Sequence, residues 1–433
     1  MMNSKKIDKS RFLVLFLAII AYRILVDYIY ENIICIHYSY QNYINDLSLN
    51  SLICSWIFLL TLCPLIVKTI LTFNLSSNIL SFFALLSIIP ISSMIAYNNS
   101  YRLEFIFLNF LYWFLVLIVN QYLKPIRFRI NLRVDYLHLI IAFILSLVVV
   151  LVSWYFTGFR LHFGLMDVYD LRLDAREFNF PFLIGYLNGA AEYILPIMFI
   201  YCLSIKNKTL SLFFFLIIAL SFGIAGSKHI VFLLFISLIG FFFVKTYKIS
   251  KLFIWLFIII LLFSIIEIKV FDTIFSTLFF SFRIMFIPSK LHYVYYEFFS
   301  TRELDYFRQS LFKWLLQSPY NDNIGMLMTE YETGVVTSLT SGRSNNGMFS
   351  DAYFNLGFIG ILVFPFFLVV ILKLLEGASK GLSPNLLFSI TLSVFMSLLS
   401  LPLTVSLFSS GIIIMIIFLY SLPRNKVSNV SYE

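Results

Sequence analysis

The sequence predicts an all-α, polytopic integral membrane protein of about twelve transmembrane helices with two larger extracytoplasmic loops. Three observations lead there. Apolar residues make up 61% of the 433 residues and charged ones only 12%, which is too little polar surface for a water-soluble fold. The apolar runs are continuous over ~17–23 residues, the length a helix needs to cross ~30 Å of hydrocarbon, whereas a barrel would alternate apolar and polar residues in short strands. Lysine and arginine gather in small clusters between the runs, with few acids beside them, as cytosolic loops do.

In chain order the spans fall near 12–31, 52–72, 77–97, 103–123, 136–157, 182–204, 209–225, 229–245, 252–268, 352–372, 385–402 and 406–422. With the N-terminus inside, Lys68, then Lys124, Arg127, Arg129 and Arg133, then Lys206 and Lys208, then Lys245, Lys248 and Lys251, then Lys373 and Lys380, and finally Arg424 and Lys426 all fall on the cytosolic side. Leaving 386–420 whole would put the last two outside, which argues for a split around Pro402 and Thr404. Residues 1–433 read as one membrane domain, and the first helix, led by Lys5, Lys6, Lys9 and Arg11 without a small-residue cleavage site, reads as a retained anchor. The two large loops, 158–181 and 269–350, mix acids with arginines and lie outside. The second is too long for a connector, and 293–316 spaces its aromatics for an amphipathic helix on the membrane surface.

Composition and motifs remove several function classes. The net charge of +9 sits in clusters at helix ends, not along one face, so it reports topology and not a nucleic-acid partner. Cys35, Cys54, Cys63 and Cys202 lie in or beside apolar runs without CxxC spacing, which predicts neither disulfide nor metal site. There is no GxGxxG, P-loop, GxSxG or HExxH, and His37, His138, His162, His229 and His292 show no ligand spacing.

Three constellations carry possible chemistry. In the first outer loop, Arg172 and Arg176 stand four apart, on one face if helical, and guanidinium forks suit phosphate oxygens. Asp170, Asp174 and Glu177 are near enough to neutralise them, which is the plainer reading. Second, Arg283 follows a strongly apolar run at the expected outer boundary, as a headgroup-level snorkel or a paired charge, ahead of Tyr293, Tyr295, Tyr296, Glu297, Phe298 and Phe299. Third, the stretch from Ser341 through Arg343, Asn345, Asn346, Gly347 and Ser350 to Asp351 and Asn355 joins a flexible loop to a carboxylate at a helix start. Asp351 and Asn355 share one face there, although Ser350 or Asp351 also suits a plain cap. Within the spans, Asp27, Glu192 and Lys228 are polar exceptions, and ionisable groups at such depth default to functional candidates.

The order of these features resembles the Wzy-type oligosaccharide repeat-unit polymerases of bacterial cytoplasmic membranes. It runs from the Arg23–Asp27 helix through Arg172, Tyr186, Pro196, Gly226-Ser227-Lys228, Arg283, Pro288 and Tyr295-Tyr296-Glu297-Phe298 to Asn346-Gly347 and the Asp351–Gly360 stretch. The resemblance implies an enzyme without cofactor or metal, working on the outer face of the membrane. It would transfer a growing glycan from undecaprenyl diphosphate onto a fresh lipid-linked unit, in O-antigen or capsule synthesis. On that reading Arg283 and Arg172, with Arg176 or Arg343, hold the diphosphate, and Asp351, Glu297 and Glu192 are candidates for the base. Asn346, Asn355, Tyr296 and Lys228 would contact substrate. The partners implied are the lipid-linked donor and acceptor, the bilayer and a chain-length regulator. The alternatives are an O-antigen ligase, which relies on a loop histidine for which His292 is the candidate here, and a non-enzymatic lipid-linked oligosaccharide flippase.

Overall fold

The computed structural model describes residues 9–128, 136–156, 181–225, 228–335 and 343–424. The protein is an all-α, multi-pass membrane protein. Its described residues fold into α1 (Lys9–His37), α2 (Leu49–Ile70), α3 (Leu75–Tyr97), α4 (Leu103–Tyr122), α5 (Leu137–Phe156), α6 (Phe182–Ser204), α7 (Lys208–Ala225), α8 (Lys228–Phe243) and α9 (Ile249–Phe271). There follow α10 (the π-helical Thr277–Phe286 running directly into Ile287–Phe299), α11 (Ile324–Thr333), α12 (Phe349–Ser379), α13 (Pro384–Ser400), α14 (Leu403–Phe408) and α15 (Ile412–Ser421). Nine spans among the described residues are long and apolar enough to cross a membrane, fewer than the twelve expected. The difference lies in α7, α8 and α13, which form where spans were expected but offer only 10–17 described apolar residues each, at or below the usual spanning length.

The chain forms two compact units. The first comprises Met1–Lys124, Lys248–Thr337 and Gly342–Val370; the second comprises Pro125–Tyr247, Ser338–Ser341 and Ile371–Glu433. At the centre of the first lies α3, whose most apolar window is entirely buried, with α2 packed along its second half. Local sequence explains where these helices begin. Ser48 and Ser51 form a reciprocal capping box at α2, with bonds of 3.1 and 3.2 Å, and the Asn74 side chain accepts the Ser77 N–H at 2.8 Å to start α3. Inside α3, Pro90 has no N–H to give. The helix widens to a π turn over Ala84–Ile88, where the proline's missing bond would have gone to the carbonyl of Leu85, and the buried Tyr22 hydroxyl donates to that carbonyl at 3.1 Å instead.

In the second unit α6 is the hub, packed by α5, α7, α8 and α13. The expected split of the last apolar stretch is present. α13 ends at Ser400, and Leu401 and Pro402 are extended (Pro402 φ −53°, ψ 148°), as the residue before a proline prefers. A second break follows at Ser409–Gly411, where Gly411 takes a left-handed φ of 69° and a Cβ would lie 2.3 Å from Ala190 of α6.

The expected surface helix over 293–316 is not there. Residues up to Phe299 belong to α10, in which Ser289 to Tyr296, Phe298 and Phe299 are all buried, while 306–315 forms a chain of turns. Aromatic spacing alone does not separate a helix laid on lipid from one enclosed by neighbouring helices, since both need a broad apolar face. The loop expected over 269–350 is thus largely ordered helix and turns where it is described.

Candidate functional site

α10 owes its position to groups at both ends. Glu267, near the end of α9, accepts four bonds from the turn that follows. They come from the Thr273 hydroxyl (2.9 Å), the Phe275 N–H (2.8 Å), the Ser276 N–H (2.9 Å) and the Ser276 hydroxyl. These satisfy the first orphan donors of α10 with a negative charge, where the helix dipole favours one. At the other end, Asn109 lies 3.0 Å from His292 Nδ1, and the imidazole is layered between Trp113 and Phe349. Burial pushes the His292 pKa down to about 3, so the ring is neutral packing at ordinary pH.

The last turns of α10 meet the start of α4 and the tip of α11. The Tyr296 hydroxyl donates to Glu104 at 2.9 Å, and the Tyr293 hydroxyl donates to the Ser100 carbonyl at 3.1 Å and lies 3.4 Å from Glu297. Tyr331 of α11 lies within electrostatic reach of Glu297, whose charge, after burial, pushes the Tyr331 phenol up. Tyr293 stacks on Tyr101 at 4.2 Å, and Tyr296 packs against Tyr353 at 5.1 Å. Arg302 lies over Phe298 at 4.0 Å and over Tyr331 at 5.6 Å. Arg102 is within electrostatic reach of Tyr293, Tyr296, Tyr331 and Tyr353. Burial first, and the Glu297 charge second, push the Tyr293 phenol up to about 12 against the pull of Arg102. The phenols therefore stay protonated and donate to the carboxylates. Arg102, Glu104, Arg302 and Tyr331 are exposed and Glu297 is half-buried, while Tyr101, Tyr293, Tyr296 and Tyr353 are buried beneath them, so two carboxylates, two guanidinium groups and one tyrosine ring lie on an accessible edge backed by buried tyrosines. Such an edge can stack a sugar ring, hold an anion and accept a hydroxyl proton.

The residues singled out from sequence fall in different places. Glu297 and Tyr296 lie in this cluster. Arg283 sits on the same helix fourteen residues earlier, roughly 20 Å away; it is exposed, with its guanidinium 5.6 Å over Phe279. Asp351 is fully buried, and Asn355 donates to its Oδ1 at 2.8 Å, the pairing its helical spacing predicts. The rest of the Asn355 amide holds the chain together, donating to the Asp351 carbonyl (2.9 Å) and accepting from the Phe307 N–H (2.9 Å). Asn346 likewise donates to the Pro288 carbonyl and to Ser350, at 3.0 and 2.8 Å. Arg343 is exposed in the loop before α12. Glu192 belongs to the second unit, 2.9 Å from His229, which stacks on Tyr193. Lys228 opens α8, but its side chain, with Arg172 and Arg176, lies outside the described residues. Asp27 pairs with the wholly buried Arg23 at 2.8 Å and accepts from Ser93.

Sequence reading missed Arg102, Glu104, Arg302 and Tyr331. The first two sit at the start of α4, where charges read as boundary markers, and the tertiary approach of α10 brings them beside tyrosines. Among the described residues no three of His, Cys, Asp and Glu group as metal ligands. No family model, curated protein or solved structure matches this chain.

Proposed function

We propose that the chain is a polysaccharide polymerase of the bacterial cytoplasmic membrane, a glycosyltransferase joining undecaprenyl-diphosphate-linked oligosaccharide units into O-antigen or capsule. One observation carries this reading: the exposed Glu104 and the half-buried Glu297 are held by Tyr296 and Tyr293, with the exposed Arg102 and Arg302 set around the same tyrosine cluster. In the reaction the acceptor hydroxyl oxygen attacks the anomeric carbon of the donor glycan. The bond from that carbon to the diphosphate oxygen breaks, the electron pair leaves with the diphosphate, and the hydroxyl proton passes to a carboxylate. Glu297 takes that proton, Glu104, held in place by Tyr296, accepts from sugar hydroxyls, and Arg102 and Arg302 balance the charge of the leaving group.

Both substrates carry a diphosphate, so the reaction needs two anion sites. Arg283, one long helix away from Glu297, suits the diphosphate of the acceptor, whose reacting hydroxyl lies at the far end of its repeat unit. A neutral, enclosed His292 speaks against the ligase alternative, which needs an accessible histidine.

The test is a gel profile of surface and lipid-linked glycan from a strain lacking the gene, complemented with wild type or Arg283→Ala. Collapse of the ladder to single repeat units on the normal acceptor, restored only by wild type, supports polymerisation. Long chains trapped on the carrier point to a ligase, and single units held on the inner leaflet point to a flippase.

A further inference from the structure

Beyond the proposed reaction, the turns after α10 carry an unexplained apolar face. Trp314 is 81% exposed, Leu315 59%, Leu316 51%, Leu311 41% and Phe312 40%. These side chains stand on well-bonded backbone. The Phe312 N–H donates to the Phe307 carbonyl at 3.0 Å, and the Leu315 and Leu316 N–H groups donate to the Phe312 carbonyl at 2.9 and 2.8 Å. The base of the segment is tied down further. Asp305 accepts from the Gln309 N–H (2.9 Å) and from Ser318 (3.0 Å), while the Gln309 amide spans to the Asp322 carbonyl (2.7 Å) and accepts the Ile324 N–H (3.1 Å). Keeping this much ordered apolar surface in water is unfavourable.

Tyr306 and Phe307 both occupy the left-handed region, with φ of 51° and 60°, a conformation bulky side chains rarely adopt. It turns the Phe307 ring parallel to Phe364 of α12 at 5.9 Å. α12 is a spanning helix whose Phe358, Ile359, Phe366 and Phe367 are themselves 51–63% exposed. The turns thus pack through Phe307 against α12, a helix that also carries an exposed apolar face of the kind lipid covers. Its composition is that of the membrane interface, a tryptophan and leucines beside the exposed Lys313.

We infer that residues 306–316 form a membrane-interface anchor, with Leu311, Phe312, Trp314, Leu315 and Leu316 seated in the interfacial layer of the bilayer beside α12. Asn355 couples the anchor to the interior, because it accepts the Phe307 N–H while donating to Asp351.

The experiment places the full chain in lipid nanodiscs and records tryptophan emission for wild type and Trp314→Ser. The difference between them isolates Trp314, an exposed position at which serine is not expected to disturb folding. The anchor is supported if this component is quenched strongly by phosphatidylcholine brominated at carbons 6 and 7, less by bromines at carbons 11 and 12, and little by aqueous iodide. Leu315→Glu should then reduce the lipid quenching. Strong iodide quenching without bromolipid quenching would mean that the face stands in water. Protection from both would mean that a second protein surface covers it. Either result overturns the inference.

Discussion

Glu267 and Glu297 stand at opposite ends of α10 and are engaged by the protein to very different extents. Glu267 accepts four bonds from the turn it caps and has no lone pair to spare for a ligand. Glu297 is half-buried and, among the described residues, its carboxylate takes one long bond, from the Tyr293 hydroxyl at 3.4 Å. Both are single glutamates beside apolar runs, and Glu297 is set apart in the sequence by its tyrosine-rich neighbourhood and the family resemblance, not by anything that foretells how each carboxylate is satisfied. What separates them is how far the surrounding structure has already saturated the carboxylate. A saturated acid is scaffold, and one with accessible oxygens beside arginines is available for chemistry.

The sharpest way to break this contrast is Glu297→Gln, which keeps the shape and removes the base. Polymerisation, read as incorporation of lipid-linked units in membranes, should fall about 100- to 10,000-fold with unchanged protein level; full activity would make Glu297 another structural acid. Glu267→Ala should do the reverse, lowering stability by on the order of 3 kcal/mol as backbone donors lose a charged partner, visible as a lower melting midpoint in detergent. Gly357→Ala tests a backbone position (φ 54°, ψ −133°) where a Cβ would also press on Leu304 at 3.1 Å. It should cost about 1–3 kcal/mol in the same assay. The smallest effect concerns His292. Its folded pKa lies below the ordinary 6.5, so the unfolded state binds the extra proton. The stability contribution is intact above pH ~6.5 and fades as pH falls toward 3, by at most about 1.4 kcal/mol per pH unit. A His292→Gln variant should lose less stability than wild type between pH 7 and pH 5.

Much of the fold was legible because span length and charge placement are local properties of the chain. The break at Pro402 follows from proline chemistry, and the Asp351–Asn355 contact follows from helical spacing. The burial of α10 was not legible, since its aromatics are the same residues an interfacial helix would use. Arg102 and Glu104 were hidden for a related reason. Their significance lies in Tyr296, almost two hundred positions away, and no local pattern records that distance. Asn346 and Asn355 show the converse, polar residues in a promising motif whose amides bond the protein's own backbone.

The interruption at Gly357 has a further consequence. Its freed carbonyls are taken up by the preceding turns, with the Asp305 N–H on Phe354 at 3.0 Å and the Tyr306 N–H on Asn355 at 3.2 Å. An unbroken helix from Phe349 to Ser379 would be about 46 Å long, well beyond the hydrocarbon thickness, whereas the part after the glycine is about 33 Å. Gly357 thus divides the helix into a short segment carrying Asp351 and a longer apolar one whose length is close to that of the hydrocarbon layer.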